Sequence, residues 1–464
     1  MSTVENGPDA GRIRRLRRSL RPLHPNRLRA RGLHALHRLG WHTWMLWLAG
    51  LHPVRLARSA AWTWRLYGTR GRRRRERRLT VAVDVSSLWQ PMTGIGWYLY
   101  RLLEAMAERD DVRLRLYGPR LIDAGDAPAP VRPLPAGPAL EEVRVAIPAD
   151  FSIPREVLTP WLRRRIDRRV GADGNALLFA PNYLFPPPWR GVPGARVAVV
   201  HDLSAYEVPE TLRESTLGEL RSDLERGIRR ARRVITDSET VRSEITARGL
   251  APRSRVDVAP LAPALDGGAA AGGSGAAEEP AGGGRYVLFV GTLEPRKNLP
   301  MLIEAFRRWR RRHGDAVELV LCGGVGWKAE DIERAVEGAA AEGWLRAPGY
   351  VTDAALARFY RGAEWLALPS LYEGFGLPAV EAMASEVPLL LADIPVLREV
   401  AGDAALYAPA RDVDAWTSLL TRALGDPGLR RRMAERSSRR GERFRWSLTA
   451  DATVAAWRRA AGER

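Results

Sequence analysis

Two glutamates, Glu373 and Glu381, bracket a segment that carries two glycines and a proline. Gly374 and Gly376 allow close backbone approach to a ligand, and Pro378 suits the first turn of a helix because it lacks an N–H that would have no partner there. The other N–H groups at such a helix N-terminus favour an anion such as phosphate. Carboxylates repel phosphate, so we expect the glutamates to accept hydrogen bonds from hydroxyl groups. Phosphate together with sugar hydroxyls predicts a sugar nucleotide as the ligand.

Two adjacent cations lie where another predicted strand ends. Arg296 and Lys297 follow the apolar run at 286–290. Such a pair suits a diphosphate leaving group, because it neutralises the negative charge that grows as a glycosidic bond breaks. Lys297 is one of only two lysines in a chain with 73 basic residues, which indicates that a compact ammonium matters at this position.

Three further candidates lie in the first half of the chain. His201 ends an apolar run at 196–200, and the C-terminal ends of parallel strands line the cleft of an α/β fold. Gly94 and Gly96 follow the apolar run at 81–85 and precede an amphipathic helix, so they predict a tight strand-to-helix loop.

Apolar runs and amphipathic segments alternate along the chain, which predicts α/β domains with parallel sheets. The Pro- and Ala-rich stretch at 121–142 predicts an irregular loop, and the stretch at 264–284, almost wholly Ala and Gly, predicts a flexible linker. At 464 residues the chain is long enough for two domains with large cores.

The positive charge is concentrated in one segment. Residues 1–78 contain 20 Arg and 3 acidic residues, a net of +17, which leaves 73 − 20 = 53 basic and 54 − 3 = 51 acidic residues for the remainder. The body of the chain is therefore nearly neutral, which argues against nucleic-acid binding as the main activity.

The basic extension also contains a tryptophan-rich part at 33–67, with an apolar run too short to span a bilayer. Tryptophan with flanking arginines fits an in-plane anchor on an anionic membrane surface. A disordered extension, a misplaced start codon and a nucleic-acid-binding arm are the alternatives. The single Cys322 excludes an intramolecular disulfide, and nothing resembles a cleavable signal peptide. We therefore expect a cytoplasmic protein, peripheral on the inner face of the membrane if the extension is an anchor.

The segment E-G-F-G-L-P-A-V-E, which runs from Glu373 to Glu381, resembles the signature of glycosyltransferase family 4. The resemblance covers about residues 80–460 and implies the GT-B fold, in which two Rossmann-like domains face each other across a cleft. It implies a retaining, metal-independent transfer of a sugar from a nucleotide. One departure is Glu386, because the family generally has a small residue, often glycine, at this position.

The resemblance also implies roles for particular residues. Glu381 would bind ribose hydroxyls, and Glu373 would bind the sugar. Arg296 and Lys297 would bind the diphosphate, and His201 would touch the donor sugar. The donor-binding set consists of Gly94, Gly96, Gly374, Phe375, Gly376, Leu377 and Glu381. We predict no metal site and no cofactor.

We expect five segments: a basic extension at 1–78, an acceptor domain at 79–263, the linker at 264–284, a donor-binding domain at 285–440, and a helix at 441–464 that returns to the first domain. The sequences of these motifs most resemble those of mannosyltransferases that assemble surface polysaccharides. This favours GDP-mannose as donor and a growing glycan or lipid-linked acceptor. A sugar-nucleotide epimerase of the same fold and a nucleic-acid-binding protein acting through the arginines are the alternatives.

Overall fold

The computed structural model describes residues 78–89, 92, 94–122, 132–148, 170, 172–183, 194–265, 284–314 and 317–463. The predicted basic extension, apart from residue 78, lies outside these residues, and so does most of the predicted linker. None of the helices in the described part of the chain combines the length and the apolar content needed to cross a membrane.

Within the described residues, the first of two sheets contains seven parallel strands, in the order β3-β2-β1-β4-β5-β6-β7. Strands β1 and β4 are neighbours, so the strand order reverses between them. The strands are β1 (Leu79–Asp84), β2 (Val112–Ile122), β3 (Leu140–Pro148), β4 (Leu177–Ala180), β5 (Ala195–Val200), β6 (Arg233–Thr236) and β7 (Val256–Val258).

The second sheet contains six parallel strands, in the order β10-β9-β8-β11-β12-β13. Its order reverses between β8 and β11, which pair directly. The strands are β8 (Arg285–Val290), β9 (Val317–Cys322), β10 (Leu345–Gly349), β11 (Trp365–Leu368), β12 (Leu389–Ala392) and β13 (Ala405–Ala408).

Helices connect the strands and cover the sheets. They are α1 (Gly94–Met106), α2 (Ser204–Glu207), α3 (Glu214–Arg230), α4 (Glu239–Ala247), α5 (Leu299–His313), α6 (Glu330–Ala341), α7 (Asp353–Gly362), α8 (Leu377–Ala384), α9 (Pro395–Ala401), α10 (Val413–Gly425), α11 (Pro427–Gly441) and α12 (Trp446–Ala461). The central strands are continuous apolar runs such as β11 and β12, whose residues are all buried, because helices cover both faces of a parallel sheet. The predicted fold class, α/β with two Rossmann-like domains, is confirmed.

Helix α12 packs against α1 and against strands β4 to β7, so the last helix covers the first sheet. Trp457 is fully buried there, and its ring lies edge-on to Phe179 with 5.0 Å between the centroids. The first sheet thus depends for its core on residues from the far end of the sequence.

Two local predictions differ from the structure, the first only at its ends, since residues 132–139 are irregular as predicted. The predicted loop at 121–142 overlaps the end of β2 and the start of β3, and these paired strands were missed because arginines alternate with apolar residues along β2. Gly94 and Gly96 lie within the first turn of α1 instead of in a loop before it. A Cβ on Gly96 would lie 3.3 Å from the sulfur of Met92, so a larger residue there would require Met92 to shift.

Glu386 lies in the turn that ends α8. Its φ is 61°, in the left-handed region that favours glycine. The Val387 N–H donates to the Ala382 carbonyl and the Glu386 N–H to the Met383 carbonyl, which is the Schellman arrangement at a helix C-terminus. The small residue expected here from the family resemblance would suit this backbone conformation, which Glu386 adopts at a cost.

Candidate active site

The candidate site lies at the C-terminal ends of β8 and β11, where the strand order of the second sheet reverses. Such a reversal opens a crevice above the sheet in α/β folds. Arg296 and Lys297 follow β8 in a short 3-10 turn, and Glu373 follows β11. The Leu371 N–H donates to the Arg296 carbonyl oxygen over 2.9 Å, which ties the two loops together.

Glu373 joins both predicted cations. Its Oε1 lies 2.6 Å from Lys297 Nζ, and its Oε2 lies 2.9 Å from Arg296 Nη1. Glu294 adds a second carboxylate, with Oε1 2.6 Å from Arg296 Nη2. The Ser370 hydroxyl also donates to Glu373 Oε1, over 2.7 Å. Two cations and two anions sum to zero, so the cluster itself offers no net positive charge to a phosphate.

The charges of this cluster hold one another in place. Burial opposes ionisation of Glu373, but Lys297 and Arg296 outweigh it and lower the pKa of this carboxyl to about 2. Burial and then the charge of Arg296 lower the pKa of Lys297, against the opposing pull of Glu373. Burial opposes the charge of Arg296 too, but Glu373 and Glu294 raise its pKa. Glu373 is therefore a permanent anion at neutral pH, suited to accepting hydrogen bonds and unsuited to donating a proton.

Both cations keep donors for a ligand. A lysine ammonium has three N–H donors, and an arginine guanidinium has five. Glu373 takes one donor from Lys297, while Arg296 uses Nη1 on Glu373 and the Tyr372 carbonyl and Nη2 on Glu294. A diphosphate can bind to the remaining donors without breaking these ion pairs.

The glycine segment leads directly into α8. Gly376 precedes the helix with a φ of 95°, which explains the need for glycine there. The first N–H groups of a helix have no acceptor within it, so the backbone amides near Leu377 are available to an anion or a hydroxyl. The Phe375 ring is buried edge-on to Phe444, 5.8 Å between centroids, so this residue can offer a ligand its backbone and not its side chain.

Glu381 lies one turn further along α8 and is 8% exposed. The Tyr360 hydroxyl donates to its Oε2 over 2.7 Å. Burial raises the pKa of Glu381 to about 7, although the hydrogen bond from Tyr360 acts in the opposite direction. The two predicted glutamates thus differ: Glu373 is ionised throughout, whereas Glu381 titrates near neutral pH.

His201 follows β5 in the first sheet. Its Nδ1 lies 2.7 Å from Asp237 Oδ2, and its Nε2 lies 2.9 Å from the Pro181 carbonyl oxygen. A carbonyl and a carboxylate both accept, so this geometry favours the doubly protonated ring. Burial lowers the pKa of His201, but Asp237 outweighs it and raises the pKa. Both ring nitrogens are thus engaged within the protein, and a sugar hydroxyl would have to replace one of these partners to contact the ring.

Gly374 brings the loop of the second sheet against the first. A Cβ on Gly374 would lie 1.9 Å from the His201 carbonyl oxygen, so only glycine permits this approach. The Ser238 hydroxyl donates to the Gly374 carbonyl over 2.8 Å, and the Leu203 N–H donates to the Tyr372 hydroxyl over 2.9 Å. The structure therefore brings His201 beside the loop that carries Glu373.

Sequence reasoning missed three residues of this site. Glu294 is 2% exposed and pairs with Arg296, and its place two residues before that arginine was the available signal. Tyr360 pairs with Glu381 and Asp237 with His201, and no local pattern indicates these contacts because the partners are distant in sequence. Among the residues that the structure describes, no group of His, Cys, Asp and Glu is arranged to hold a metal ion.

Sequence comparison decides the family. The model of the family described as glycosyl transferases group 1 matches residues 276–440. The O-antigen chain mannosyltransferase B of Escherichia coli is 32% identical over 266 residues, which cover 56% of this chain and 70% of that protein. The chain belongs to the glycosyl transferases group 1 family. The predicted glycosyltransferase is thereby confirmed, and the epimerase and nucleic-acid alternatives are not favoured.

Two other comparisons define how far the likeness reaches. A D-inositol 3-phosphate glycosyltransferase of Kineococcus radiotolerans is 33% identical to this glycosyltransferase over 195 residues, 38% of this chain and 45% of that protein. Sucrose-phosphate synthase from Thermosynechococcus elongatus superposes with a TM-score of 0.62 at 20% identity, covering 82% of this chain and 99% of that chain. At this low identity, the comparison with sucrose-phosphate synthase shows a similar fold and says nothing about activity.

Proposed function

We propose that this glycosyltransferase moves mannose from GDP-mannose to a growing glycan or lipid-linked acceptor in surface polysaccharide synthesis, with retention of the anomeric configuration. The name of the Escherichia coli relative supports mannose and a polysaccharide acceptor. The observation that carries the proposal is the cluster of Arg296, Lys297 and Glu373 next to the N-terminus of α8. It places phosphate donors and hydroxyl acceptors side by side.

The proposed roles follow from the contacts. Arg296 and Lys297 donate to the diphosphate and stabilise the charge that develops as it leaves. The backbone amides that precede and begin α8, together with Glu373, bind the sugar. Glu381 accepts hydrogen bonds from ribose hydroxyls. Glu373 already binds two cations, which makes it a weak nucleophile, so it serves better to orient a sugar hydroxyl than to form a covalent bond to the sugar.

The remaining candidates have supporting roles in this proposal. His201 contributes the positive charge of its ring and the carbonyl oxygen that abuts Gly374. Gly94, at the start of α1, offers backbone amides from the first domain, while Gly96 lets the first turn of that helix pack closely. The N–H donors that Arg296 and Lys297 keep, rather than a divalent metal, hold the diphosphate in this proposal.

A donor panel tests the proposal. The purified protein is assayed for hydrolysis of GDP-mannose, UDP-glucose and dTDP-sugars, each with and without EDTA, and NMR then gives the anomeric configuration of the product made with an acceptor glycan. We expect turnover of GDP-mannose that EDTA leaves unchanged, and an α-linked product from the α-linked donor. Turnover only in the presence of a divalent metal, or an inverted product, would contradict the proposed mechanism.

We also propose that the basic extension holds the enzyme at an anionic membrane surface. Its tryptophans and arginines support this, since each basic residue near such a surface contributes about 1 kcal/mol. Flotation with anionic and with neutral liposomes tests it, comparing the full chain with a variant that lacks residues 1–78. Equal flotation of the two proteins with anionic liposomes would rule the anchor out.

A further inference from the structure

Tyr372, the residue before Glu373, is tied to the candidate site through its backbone. Its carbonyl oxygen accepts from Arg296 Nη1 over 2.9 Å, and the same nitrogen lies 2.9 Å from Glu373 Oε2. The Leu371 N–H donates to the Arg296 carbonyl oxygen, also over 2.9 Å. A shift of Tyr372 therefore moves Arg296 and Glu373, the groups proposed to bind the diphosphate and the sugar.

The side chain of Tyr372 reaches the other way, into the first domain. Its hydroxyl accepts from the Leu203 N–H over 2.9 Å and donates to Glu244 Oε2 over 2.8 Å. Leu203 follows β5, two residues after His201, and Glu244 lies on α4. Tyr372 is 7% exposed, so its one O–H donor is used inside the protein. Tyr372 thus links the ion-pair cluster to the first domain.

Helix α4 holds the residues on both sides of Glu373. Glu244, on this helix, accepts from Tyr372, which precedes Glu373. Ser238, which caps the same helix, donates through its hydroxyl to the carbonyl oxygen of Gly374, which follows Glu373, over 2.8 Å. The two cations orient the Glu373 carboxylate from within the second domain, and α4 of the first domain fixes the backbone that carries it.

We propose that Tyr372 and Glu244 are positioning residues for sugar transfer: the Tyr372 hydroxyl holds Glu373 and Arg296 in place against the first domain. This inference rests on the proposed function, in which Glu373 orients the donor sugar and Arg296 stabilises the leaving diphosphate. Neither Tyr372 nor Glu244 contacts the donor. They act through the loop, and they matter most when the glycosidic bond breaks, because charge then develops between groups from both domains.

The hydroxyl of Tyr372 carries this role, and its ring does not. Phenylalanine fills the same space, but it leaves the Leu203 N–H without this acceptor and Glu244 without this donor. Polar groups that lose their partners on burial lower the stability of the arrangement that buries them. The loop then loses the contact that fixes its place relative to α4.

The charge of Glu244 makes this link depend on pH. Burial raises the pKa of Glu244 to about 7; Glu207 and Asp202 also raise it, while the hydrogen bond from Tyr372 and the charge of Arg248 lower it. An ionised acceptor forms a hydrogen bond roughly twice as strong as a neutral one. The link is therefore strongest above pH 7 and weakens as Glu244 gains a proton.

Steady-state hydrolysis of GDP-mannose by the full chain tests the role of Tyr372; if the donor panel selects another sugar nucleotide, that one is used with its own nucleoside diphosphate. A misplacement of about 1 Å can lower a rate about 100-fold, so we expect the looser loop of Tyr372→Phe to lower kcat about 10-fold. The KM, and the Kd of GDP from calorimetry, should stay within about 2-fold of wild type. Tyr206→Phe is the matched control, because its hydroxyl donates to Glu225 Oε1 over 2.9 Å wholly within the first domain. It leaves kcat unchanged.

A pH series with Glu244→Gln tests the charge. Glutamine keeps the shape and an acceptor but not the charge, so its kcat should lie about 5-fold below wild type near pH 8 and within about 2-fold of it near pH 6. Glu381 also titrates near pH 7, but it does so in both proteins and cancels in the ratio. Glu225→Gln is the matched control, and its ratio to wild type stays constant.

The outcomes separate this inference from the proposed function. Wild-type protein that hydrolyses no sugar nucleotide and binds no nucleoside diphosphate overturns both. An active wild type with Tyr372→Phe equal to it in kcat overturns only the positioning role. Equal losses of kcat and GDP affinity, or a Glu244→Gln ratio that does not change with pH, show a merely structural effect and also overturn it. If Tyr372→Phe does not fold, the pH series with Glu244→Gln decides.

Discussion

Replacing Glu381 by glutamine removes a buried group whose pKa lies far from its ordinary value. The pKa of Glu381 is about 7 in the folded protein, compared with 4.5 for an unperturbed glutamate. This difference of about 2.5 pH units corresponds to about 3 kcal/mol of free energy of unfolding. Glutamine has nearly the same shape as glutamate, stays uncharged, and can still accept the hydrogen bond from the Tyr360 hydroxyl.

The sign follows from proton binding. Between pH 4.5 and pH 7 the folded protein holds a proton on Glu381 that the unfolded chain releases. Raising the pH through this range therefore favours unfolding, and the wild-type protein loses about 3 kcal/mol that the Glu381→Gln variant keeps. The variant should be about as stable as wild type near pH 4.5 and more stable by up to about 3 kcal/mol near pH 8.

Urea denaturation at intervals across this pH range measures the difference. Glu373→Gln serves as the matched control, because the pKa of Glu373 is about 2 and this carboxyl stays ionised throughout the range. That variant should be destabilised by a constant amount, since it leaves two buried cations without their shared partner. A difference between Glu381→Gln and wild type that does not change with pH, or that favours wild type more as the pH rises, would refute the reasoning.

Three further predictions concern other parts of the chain. Lys297→Met should lower turnover on the order of 100-fold, which a sugar-nucleotide assay measures. It should also lower the free energy of unfolding by roughly 3 kcal/mol, measured by urea denaturation, because Glu373 then keeps only one of its two cations. Glu386→Gly should stabilise the protein by about 1 kcal/mol in the same denaturation assay, since glycine relieves a φ of 61°, and unchanged or lower stability would contradict the assigned conformation. Glu399 accepts from the Glu239 N–H at 2.7 Å and from the Thr240 N–H at 2.8 Å, at the N-terminus of α4. Glu399→Gln should therefore lower the free energy of unfolding by about 1 kcal/mol. The radius of gyration from X-ray scattering should rise as the domains separate.

The order of elements in both domains was predictable because buried parallel strands are uninterrupted apolar runs. Strand β11 reads Trp-Leu-Ala-Leu and every residue in it is buried. Strand β2 was missed since Arg113 and Arg115 interrupt its apolar residues; their side chains pair with Glu141 on β3, which no local pattern reveals. A sequence shows which residues are apolar, but not which charges a neighbouring strand will neutralise.

The residues of the candidate site could be predicted from the sequence, but only some of the contacts between them could. Arg296 and Lys297 were expected to bind a phosphate and Glu373 a sugar, and no contact between the glutamate and the cations was predicted. In the structure Glu373 bridges both cations, an arrangement that needs two loops separated by more than seventy residues of chain. The pKa of Glu381 was also beyond sequence reasoning, because it depends on how deeply the folded protein buries this carboxylate.

The position of helix α12 has a consequence for the biosynthesis of the enzyme. Strands β4 to β7 are made early, but the helix that covers them is made last, at Trp446–Ala461. The second sheet has all its strands and its connecting helices between residues 285 and 441. Although domains commonly fold in the order in which they leave the ribosome, here the later domain can be completed first. Until translation reaches α12, the apolar residues of β4 to β7 that this helix covers stay exposed to solvent.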